Sequence, residues 1–418
     1  MSNVRVYPAK LSGSLTAPPS KSAAHRALIC AALAQGESEI APVSDSTDMG
    51  ATLGVLAAMG QPAERAGKTV RFRGMPWAEH PVTLNCRESG STLRFLLPVA
   101  AALGLSATFL GEGRLPERPV GVLTEQLSRH GISITGSGMP FSIKGKLTGG
   151  VFTLPGDISS QFISGLLFAL PLLLQDSEIR LTTPLESAAY VDMTLSALSD
   201  AGIRIERSEG SFLVKGGQSY RPGRKTVGGD FSNAAFWLCA GAIGGSIAID
   251  GLEAHSVQGD RAVVELVRAF GASISVQNGQ TIVESAPLHG IRINAAPVPD
   301  LVPILAVTAA FAQGDTEIYN AARLRIKESD RLSAVSKLIR NLGGEALEFP
   351  DRLIIRGTGG LRGGEADGMN DHRIVMSAAI AALFCREPVV IRGAQAVRKS
   401  YPDFFEDLKR LGGRYDVI

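Results

Sequence analysis

The sequence repeats one pattern six times, at intervals of about 70 residues. A polar residue precedes each of six long apolar segments, and a glycine follows each of six amphipathic segments. The polar residues are Ser20, Ser89, Ser159, Ser232, Asp300 and Asp371. The glycines are Gly60, Gly131, Gly202, Gly271, Gly343 and Gly412. Because two separate landmarks give the same period, we expect six copies of one supersecondary unit.

Each unit has the same predicted elements. One segment is apolar on nearly every side, which is typical of a fully buried helix. A short strand, a polar loop, an amphipathic helix with a glycine at its end and two further strands complete the unit. The chain is therefore predicted to be an α/β protein with buried helices. The six apolar segments are Ala27–Ala34, Leu93–Leu103, Phe162–Leu174, Ala234–Ile243, Leu301–Ala312 and Ile374–Phe384.

Six such units are too many for one hydrophobic core, so two domains of three units each are expected. The segment 220–229 is the predicted boundary, because it contains Pro222 and three glycines. The predicted N-terminal domain is 20–228. The predicted C-terminal domain combines 1–19 with 229–418, the opening segment completing its three repeats.

Composition excludes several classes of function. The 418 residues carry a net charge of only +2, which argues against nucleic acid or an acidic membrane as partner. The longest apolar stretch, Ile163–Leu174, is too short to span a bilayer, and 1–10 lacks the apolar core of a signal peptide. The four cysteines form no C-x-x-C pair and the six histidines show no metal-ligand spacing. A cytoplasmic protein without a bound metal is expected.

The run Arg323–Arg331 contains four cations and two anions between apolar segments. A capped helix start with surface ion pairs would explain it, because charge runs usually lie on solvated faces. Its neighbours 301–312 and 374–384 are almost wholly apolar, however, so these charges need partners. A small anionic substrate is one such partner.

The starts of the predicted helices carry further polar groups. Lys21, Ser22 and Arg26 lie in the first turns of one helix, where a cation opposes the helix dipole unless an anion binds there. Exposure to solvent is the alternative for Lys21 and Arg26. Ser89-Gly90-Ser91 opens the next helix with Arg94, as a ligand site or as a plain N-cap.

Three later helix starts complete the set. Ser159, Ser160 and Gln161 offer uncharged donors that suit hydroxyl and phosphate oxygens. Asp300 is interpreted either as an N-cap or as a general base at the mouth of a cationic site. The segment Gly229–Asn233 carries no cation and is interpreted as structural.

Several cations are expected to share one site for substrates with several negative charges. They are Lys21, Arg26, Arg118, Lys327, Arg331, Arg373 and Lys399.

Seven motifs in this order resemble those of the 5-enolpyruvylshikimate-3-phosphate synthase family. They are Pro-Ser-Lys-Ser-x-x-x-Arg at 19–26, Ser-Gly-Ser-Thr-x-Arg at 89–94, Glu-Arg-Pro at 117–119, Ser-Ser-Gln-Phe at 159–162, Arg-x-Lys-Glu-Ser-Asp-Arg at 325–331, Asp-His-Arg at 371–373 and Lys-Ser-Tyr-Pro-Asp at 399–403. The similarity runs from Lys10 to Leu411. The Lys-Glu-Ser-Asp-Arg and Asp-His-Arg motifs are specific in combination.

The resemblance implies a reaction of the shikimate pathway of aromatic amino acid biosynthesis. The enolpyruvyl group of phosphoenolpyruvate would move to the 5-hydroxyl of shikimate 3-phosphate with release of phosphate. It also implies an inside-out α/β barrel in each domain, a monomer, no cofactor, and inhibition by glyphosate at the phosphoenolpyruvate site.

The resemblance also implies a role for individual residues. Those for shikimate 3-phosphate are Lys21, Ser22, Arg26, Ser159, Ser160, Gln161, Ser187, Asp300 and Lys327. Those for phosphoenolpyruvate are Lys21, Gly90, Arg118, Gln161, Arg331, Arg373 and Lys399. Asp300, Glu328 and Lys21 would be catalytic.

Three positions depart from the common pattern of the family: Glu88, Phe95 and Arg323. The related UDP-N-acetylglucosamine enolpyruvyl transferases share the expected fold and donor, but Cys86 lies outside the loop 114–118, where that family has a reactive cysteine. A non-catalytic repeat protein that binds polyanions is the third alternative. It would need neither Asp300 nor Glu328.

Overall fold

A computed structural model describes residues 3–418 of the chain. The chain divides into two compact units. One consists of the residues up to Ser20 together with Gly228–Ile418, and the other is Lys21–Val227. Within 3–418, no helix is long and apolar enough to cross a membrane.

Twelve α-helices form in residues 3–418, six in each unit. Those of Lys21–Val227 are α1 (Lys21–Leu33), α2 (Thr47–Ala58), α3 (Gly90–Ala102), α4 (Gly121–Arg129), α5 (Ser160–Ala169) and α6 (Ala188–Asp200). Those of the other unit are α7 (Phe231–Gly244), α8 (Val263–Phe270), α9 (Val302–Phe311), α10 (Arg331–Asn341), α11 (His372–Phe384) and α12 (Phe404–Arg410).

The same residues form 24 strands. The first group is β1 (Asn3–Tyr7), β2 (Ser12–Thr16), β3 (Ser38–Ala41), β4 (Glu64–Ala66), β5 (Thr69–Phe72), β6 (Val82–Asn85), β7 (Ala107–Leu110) and β8 (Ile132–Thr135). The second is β9 (Phe141–Gly145), β10 (Gly150–Leu154), β11 (Ser177–Leu181), β12 (Ile205–Ser208), β13 (Ser211–Val214), β14 (Arg224–Thr226), β15 (Ser246–Asp250) and β16 (Ser273–Gln277). The third is β17 (Gln280–Glu284), β18 (Arg292–Asn294), β19 (Gln313–Tyr319), β20 (Glu345–Glu348), β21 (Leu353–Thr358), β22 (Gly364–Asp367), β23 (Val389–Arg392) and β24 (Arg414–Val417).

The strands form six four-stranded mixed sheets with one common topology. In Lys21–Val227 the orders are β14-β3-β5-β4, β6-β7-β9-β8 and β10-β11-β13-β12. In the other unit they are β2-β15-β17-β16, β18-β19-β21-β20 and β22-β23-β1-β24. Read in these directions, each sheet has one parallel pair followed by two antiparallel pairs. The predicted α/β fold with repeated sheets is thereby confirmed.

Two sheets in the unit that contains Gly228–Ile418 take a strand from the start of the chain. Strand β1 lies between β23 and β24 and pairs with both, and β2 pairs with β15. In the other unit, β14 is the last strand in sequence and pairs with β3, the first.

Three helices in each unit are buried on nearly every side, as their composition predicts. They are α1, α3 and α5 in one unit and α7, α9 and α11 in the other. Each unit has its own cluster of buried apolar side chains around them. Burial of this much apolar surface is the main favourable contribution to folding of each unit.

The glycines that mark the period all follow amphipathic helices in the left-handed region of φ. Their φ angles are 106° (Gly60), 96° (Gly131), 81° (Gly202), 111° (Gly271), 85° (Gly343) and 101° (Gly412). Glycine takes this conformation without the penalty of a Cβ atom, which is why it recurs where each helix ends.

Two predicted helix starts differ from the structure. Helix α9 begins at Val302 with Leu301 as its N-cap, so Asp300 is not the capping residue. Helix α7 begins at Phe231, because the Asp230 side chain accepts a hydrogen bond from the Asn233 N–H and caps the helix earlier than Ser232 would.

Candidate active site

Lys21, the first residue of α1, has an acidic partner that the sequence analysis did not single out. Its Nζ lies 2.6 Å from the Asp48 carboxylate, which belongs to the first turn of α2. Both side chains are mostly buried. The ammonium is thus placed at a helix N-terminus with one carboxylate beside it, and an anionic ligand would add a second counter-charge.

Arg26 is buried at 3% exposure, so the alternative that it points into solvent is wrong. It donates to Thr194 Oγ1 at 2.9 Å and to the carbonyls of Ser22 and Tyr190 at 2.7 Å each. Its guanidinium also lies 5.2 Å from the centre of the Phe95 ring. Burial lowers the pKa of Arg26 to about 10. Arg26 therefore ties α1 to α6 and packs on the aromatic ring that departs from the family pattern.

The turn that opens α3 lies beside two arginines. A Cβ atom built on Gly90 would be 2.8 Å from Arg118 Nη1 and 3.1 Å from Arg94 Nη1. Arg94 in turn donates to Gln161 Oε1 at 2.7 Å and to the Pro119 carbonyl at 3.0 Å. The structure therefore brings Gly90, Arg118 and Gln161 together. Arg94 lies between them, although the predicted binding residues did not include it.

Gln161 is fixed from both ends of its amide. Its Nε2 donates to Ser91 Oγ at 2.8 Å, while Oε1 accepts from Arg94. Ser159 caps α5 by accepting a hydrogen bond from the Gln161 N–H. The polar starts of α3 and α5 are therefore one connected group.

Ser187, just before α6, has a left-handed backbone with φ of 53°. Such a conformation is uncommon for a residue with a Cβ atom and often occurs at functional sites.

Glu88, another departure from the family pattern, lies against Gly113. A Cβ atom built on Gly113 would be 2.5 Å from Glu88 Oε2.

A buried hydrogen-bond chain connects the starts of α1 and α3. His25 Nδ1 lies 2.8 Å from Thr52 Oγ1, and Thr52 Oγ1 lies 2.7 Å from Thr92 Oγ1. Thr92 Oγ1 donates to Ser89 Oγ at 2.8 Å. Burial, Lys21 and Arg26 lower the pKa of His25 well below its usual value, so the ring is neutral. Nothing in the sequence motifs indicates this chain, because its members lie on three different helices.

In the other unit, Asp300 lies among three cations. Its Oδ1 accepts from Arg331 Nη1 at 2.7 Å and its Oδ2 from Arg373 Nη2 at 3.2 Å, with Lys327 Nζ 3.9 Å away. Burial raises the pKa of Asp300, but Arg373, Lys327 and Arg331 outweigh it and hold the pKa well below its ordinary value. The carboxylate is therefore ionised in this arrangement.

Arg331 is the centre of these ion pairs and is only 1% exposed. Besides Asp300, it donates to Glu328 Oε2 at 2.7 Å and to Asp371 Oδ2 at 2.8 Å. Asp371 is fully buried, caps α11 and also accepts from Ser329 Oγ at 3.0 Å. The site prediction omitted Asp371, although the motif Asp-His-Arg contains it.

Arg373 and Lys399 lie near the start of α11. Arg373 Nη1 donates to the Ser232 carbonyl at 2.9 Å, and Lys399 Nζ donates to the Asn370 carbonyl at 2.5 Å. The segment Gly229–Asn233, which the sequence analysis interpreted as structural, therefore contacts a candidate binding residue.

The run Arg323–Arg331 contains both of the environments that were considered for it. Arg325 makes ion pairs with Asp330 and Glu348 at 2.8 and 3.0 Å and is partly exposed, as in a solvated face. Lys327 and Arg331 contact Asp300 instead. The pKa of Lys327 is lowered to about 8, mainly by burial, with Arg323 and Arg331 acting in the same direction and Asp300 and Glu328 opposing them.

The described residues contain no candidate metal site. Between residues 3 and 418, no group of three or more His, Cys, Asp or Glu side chains is arranged to hold a metal ion. All four cysteines are buried free thiols.

The family model of EPSP synthase (3-phosphoshikimate 1-carboxyvinyltransferase) matches residues 6–408. The chain belongs to the EPSP synthase family. A 3-phosphoshikimate 1-carboxyvinyltransferase of Clostridium kluyveri is 45% identical to it over 421 residues, covering 100% of this chain and 99% of the relative. The protein of the same name from Clostridium acetobutylicum is 44% identical, covering 99% of this chain and 98% of the relative. The family that the motifs predicted is confirmed.

Solved structures agree with this EPSP synthase assignment. The structure of EPSP synthase from Acinetobacter baumannii is similar with a TM-score of 0.84 and 26% identity, over 100% of both chains. The enolpyruvyl transferase NikO from Streptomyces tendae has a TM-score of 0.80 at 18% identity, covering 100% of this chain and 99% of that one, which supports the fold alone. The predicted inside-out α/β architecture is confirmed.

Proposed function

We propose that this chain transfers the enolpyruvyl group of phosphoenolpyruvate to the 5-hydroxyl of shikimate 3-phosphate and releases phosphate. The single observation that carries the proposal is the 45% identity to a 3-phosphoshikimate 1-carboxyvinyltransferase over the full length of both chains. The reaction belongs to the shikimate pathway of aromatic amino acid biosynthesis.

Shikimate 3-phosphate offers a phosphate, a carboxylate and hydroxyl groups, which require cations and neutral donors. The hydroxyl and amide groups at the start of α5, with Lys21 and Arg26 on α1, supply both kinds of donor. Asp300 would accept a hydrogen bond from a substrate hydroxyl. The residues assigned to this substrate are Lys21, Ser22, Arg26, Ser159, Ser160, Gln161, Ser187, Asp300 and Lys327.

Phosphoenolpyruvate carries a phosphate and a carboxylate on three carbons and needs more positive charge for its size. Arginine suits both groups, because its planar guanidinium donates two parallel hydrogen bonds. The backbone N–H at Gly90 adds a donor at a helix N-terminus. The residues assigned to this substrate are Lys21, Gly90, Arg118, Gln161, Arg331, Arg373 and Lys399.

The chemistry requires two proton transfers at one carbon, C3 of phosphoenolpyruvate, and one at the oxygen of the substrate hydroxyl. Protonation of C3 of phosphoenolpyruvate makes C2 cationic, and the substrate hydroxyl adds there as it loses its proton. Removal of a C3 proton from the tetrahedral adduct then expels phosphate. We assign these transfers to Asp300, Glu328 and Lys21, because carboxyl and ammonium groups within a cationic site can serve as general acid or base.

Substrate binding would prepare Asp300 for this role. Asp300 contacts Arg331 and Arg373, which makes it a weak base. When the anionic groups of the substrates bind these arginines, the arginines stabilise the Asp300 carboxylate less. The pKa of Asp300 then rises toward the range where a base is effective. The carboxylate would thus become a better base only when substrate is present.

The choice of acceptor provides the test of this function. The protein is incubated with phosphoenolpyruvate and either shikimate 3-phosphate or UDP-N-acetylglucosamine, and the products are identified by ³¹P NMR. We expect an enolpyruvyl ether of shikimate 3-phosphate and free phosphate in the first mixture, and unchanged reactants in the second. Reaction only with the sugar nucleotide would refute the proposal.

We further propose a cytoplasmic monomer that needs no cofactor, and domains at 20–228 and at 1–19 with 229–418. The four buried free thiols motivate the location, because a reducing compartment keeps cysteines unpaired. Sedimentation equilibrium checks the oligomeric state, and turnover after exhaustive chelation checks the independence from metal ions.

A further inference from the structure

Asp260 is a buried acid that the proposed mechanism does not use. It lies in the short 3-10 helix Gly259–Ala262 before α8 and is 2% exposed. Its Oδ2 accepts a hydrogen bond from Ser232 Oγ. Its Oδ1 is buried, and no group in residues 3–418 donates a hydrogen bond to it. A buried carboxyl with one hydrogen bond destabilises a fold, so packing alone does not explain this residue.

Ser232 connects Asp260 to the candidate phosphoenolpyruvate site. Its side chain donates to Asp260, and its main-chain carbonyl accepts from Arg373 Nη1 at 2.9 Å. The other terminal nitrogen of Arg373 donates to Asp300 Oδ2 at 3.2 Å. Two hydrogen bonds thus separate the buried carboxyl from the guanidinium, which contacts Ser232 through one terminal nitrogen and Asp300 through the other.

We propose that Asp260 is a positioning residue for the reaction, which holds Ser232 so that its carbonyl fixes Arg373 in the orientation that binds phosphoenolpyruvate. The inference rests on the proposed function, specifically on the role of Arg373. The inference goes beyond that function because it gives the start of α7, which contains no cation of its own, a part in orienting Arg373.

The charge of Asp260 makes this arrangement sensitive to pH. The pKa of Asp260 is raised to about 7, mainly by burial, with Asp300 and Asp230 acting in the same direction and Arg373 and Ser232 opposing them. The groups that face it are therefore Asp230 and Ser232 at the start of α7, Asp300 before α9 and Arg373 on α11. Above pH 7 the ionised carboxylate accepts the Ser232 hydrogen bond more strongly, since charge-assisted hydrogen bonds are the stronger ones.

Two variants separate the hydrogen bond from the charge. Ser232→Ala removes the donor, and we expect the KM for phosphoenolpyruvate to rise by about tenfold, which corresponds to one lost hydrogen bond to a charged group. The KM for shikimate 3-phosphate should stay within about twofold. Ser232→Thr keeps the hydroxyl and should restore most of the lost affinity.

Asp260→Asn keeps the shape and removes the ionisation. Below pH 6.5, where the wild-type acid is protonated, about the same KM for phosphoenolpyruvate is expected in both proteins. Above about pH 7.5 the KM of the variant should exceed that of the wild type severalfold. A residue that only supports the fold would not produce a difference that appears with pH.

Asp250→Asn is the matched control. Asp250 lies on β15 in the same unit, is half-buried and accepts from Gln280 Nε2 at 2.9 Å, without contact to Arg373. Its substitution should leave both KM values and their pH dependence unchanged. Thermal unfolding of every variant shows whether it is folded at the assay temperature.

The steady-state KM for each substrate, measured from pH 6 to pH 8.5, decides the inference. A selective, pH-dependent rise for phosphoenolpyruvate supports it. An active wild type with Ser232→Ala and Asp260→Asn indistinguishable from Asp250→Asn would overturn it while leaving the proposed function intact. A wild type that does not turn over at all would overturn both.

Discussion

At the scale of single residues, the charges around Asp300 decide its protonation. Asp300 contacts both Arg331 and Arg373, and Glu328 contacts Arg331. A carboxylate with several cationic neighbours stays ionised, which is the form that can accept a proton. We therefore expect Asp300 to accept a proton in one of the transfers.

Replacing either acid by its amide keeps the shape and removes the proton transfer. For Asp300→Asn and for Glu328→Gln we expect turnover to fall by about 10²- to 10⁴-fold, the usual contribution of general acid–base catalysis. Substrate KM values should change less. Steady-state rates of phosphate release measure the effect. Near-normal turnover in both variants would show that neither acid transfers a proton.

Lys327 should make the KM for shikimate 3-phosphate depend on pH in the alkaline range. Because burial lowers its pKa to about 8, the ammonium loses its proton as the pH rises through that value. The charged form is the one that attracts shikimate 3-phosphate, so the KM for that substrate should rise above pH 8 and stay level below it. Lys327→Gln should raise the KM at neutral pH and abolish this step. Lys337→Gln, an exposed lysine of α10, is the control.

Gly90 is expected to leave room for the inhibitor glyphosate to bind in the phosphoenolpyruvate site. The wild type should be inhibited in competition with phosphoenolpyruvate. In Gly90→Ala the new methyl would lie 2.8 Å from Arg118 Nη1, so the guanidinium must move. We expect weaker inhibition and a modest rise in the KM for phosphoenolpyruvate. Inhibition titrations at fixed phosphoenolpyruvate measure both, and a wild type that is already insensitive would show that Glu88 and Phe95 shape the pocket instead.

At the scale of elements, the helix starts of Lys21–Val227 are joined by side chains buried below them. The chain His25–Thr52–Thr92–Ser89 runs from α1 through α2 to the cap of α3. It connects the turn with Lys21 to the turn with Gly90. The relative position of two candidate binding elements therefore depends on hydroxyl groups that contact neither substrate in our assignment.

Thr52→Val replaces the central hydroxyl by a methyl of similar size. It leaves His25 without its partner, at a cost of about 1–3 kcal/mol for a buried polar group. A unit of this size should then unfold about 2–4 °C lower per kcal/mol. Thr308→Val is the control, because Thr308 is equally buried and its hydroxyl donates to the Ile304 carbonyl of its own helix. Equal shifts in both variants would show that the chain adds nothing beyond a local hydrogen bond.

The buried helices and the glycines that follow the amphipathic ones could be predicted because local composition determines them. A segment such as Ala234–Ile243 has no polar side to expose, and Gly60 is favoured by its φ angle whatever surrounds it. The partners of buried charges could not be predicted, since Lys21 and Asp48 or Ser232 and Asp260 are far apart in sequence. Their contacts depend on how the helices pack, and local sequence patterns do not predict that packing.

At the scale of the whole molecule, the six-fold period predicted the number of sheets and the return of the opening segment to the C-terminal repeats, but not which strands pair. The pairing of β1 with β23 and β24 joins the first and last repeats of one unit. Strand β14 does the same in Lys21–Val227 by pairing with β3. Composition does not specify such pairs, because short strands with alternating burial fit several partners and the fold selects one.

The release of inorganic phosphate by the unmodified protein tests the central claim most directly. The protein is mixed with phosphoenolpyruvate and shikimate 3-phosphate, and phosphate is measured over time, with each substrate alone as control. We predict steady release that requires both substrates, in equal amount to the enolpyruvyl product. No release with both substrates present, or the same rate with phosphoenolpyruvate alone, would contradict the account.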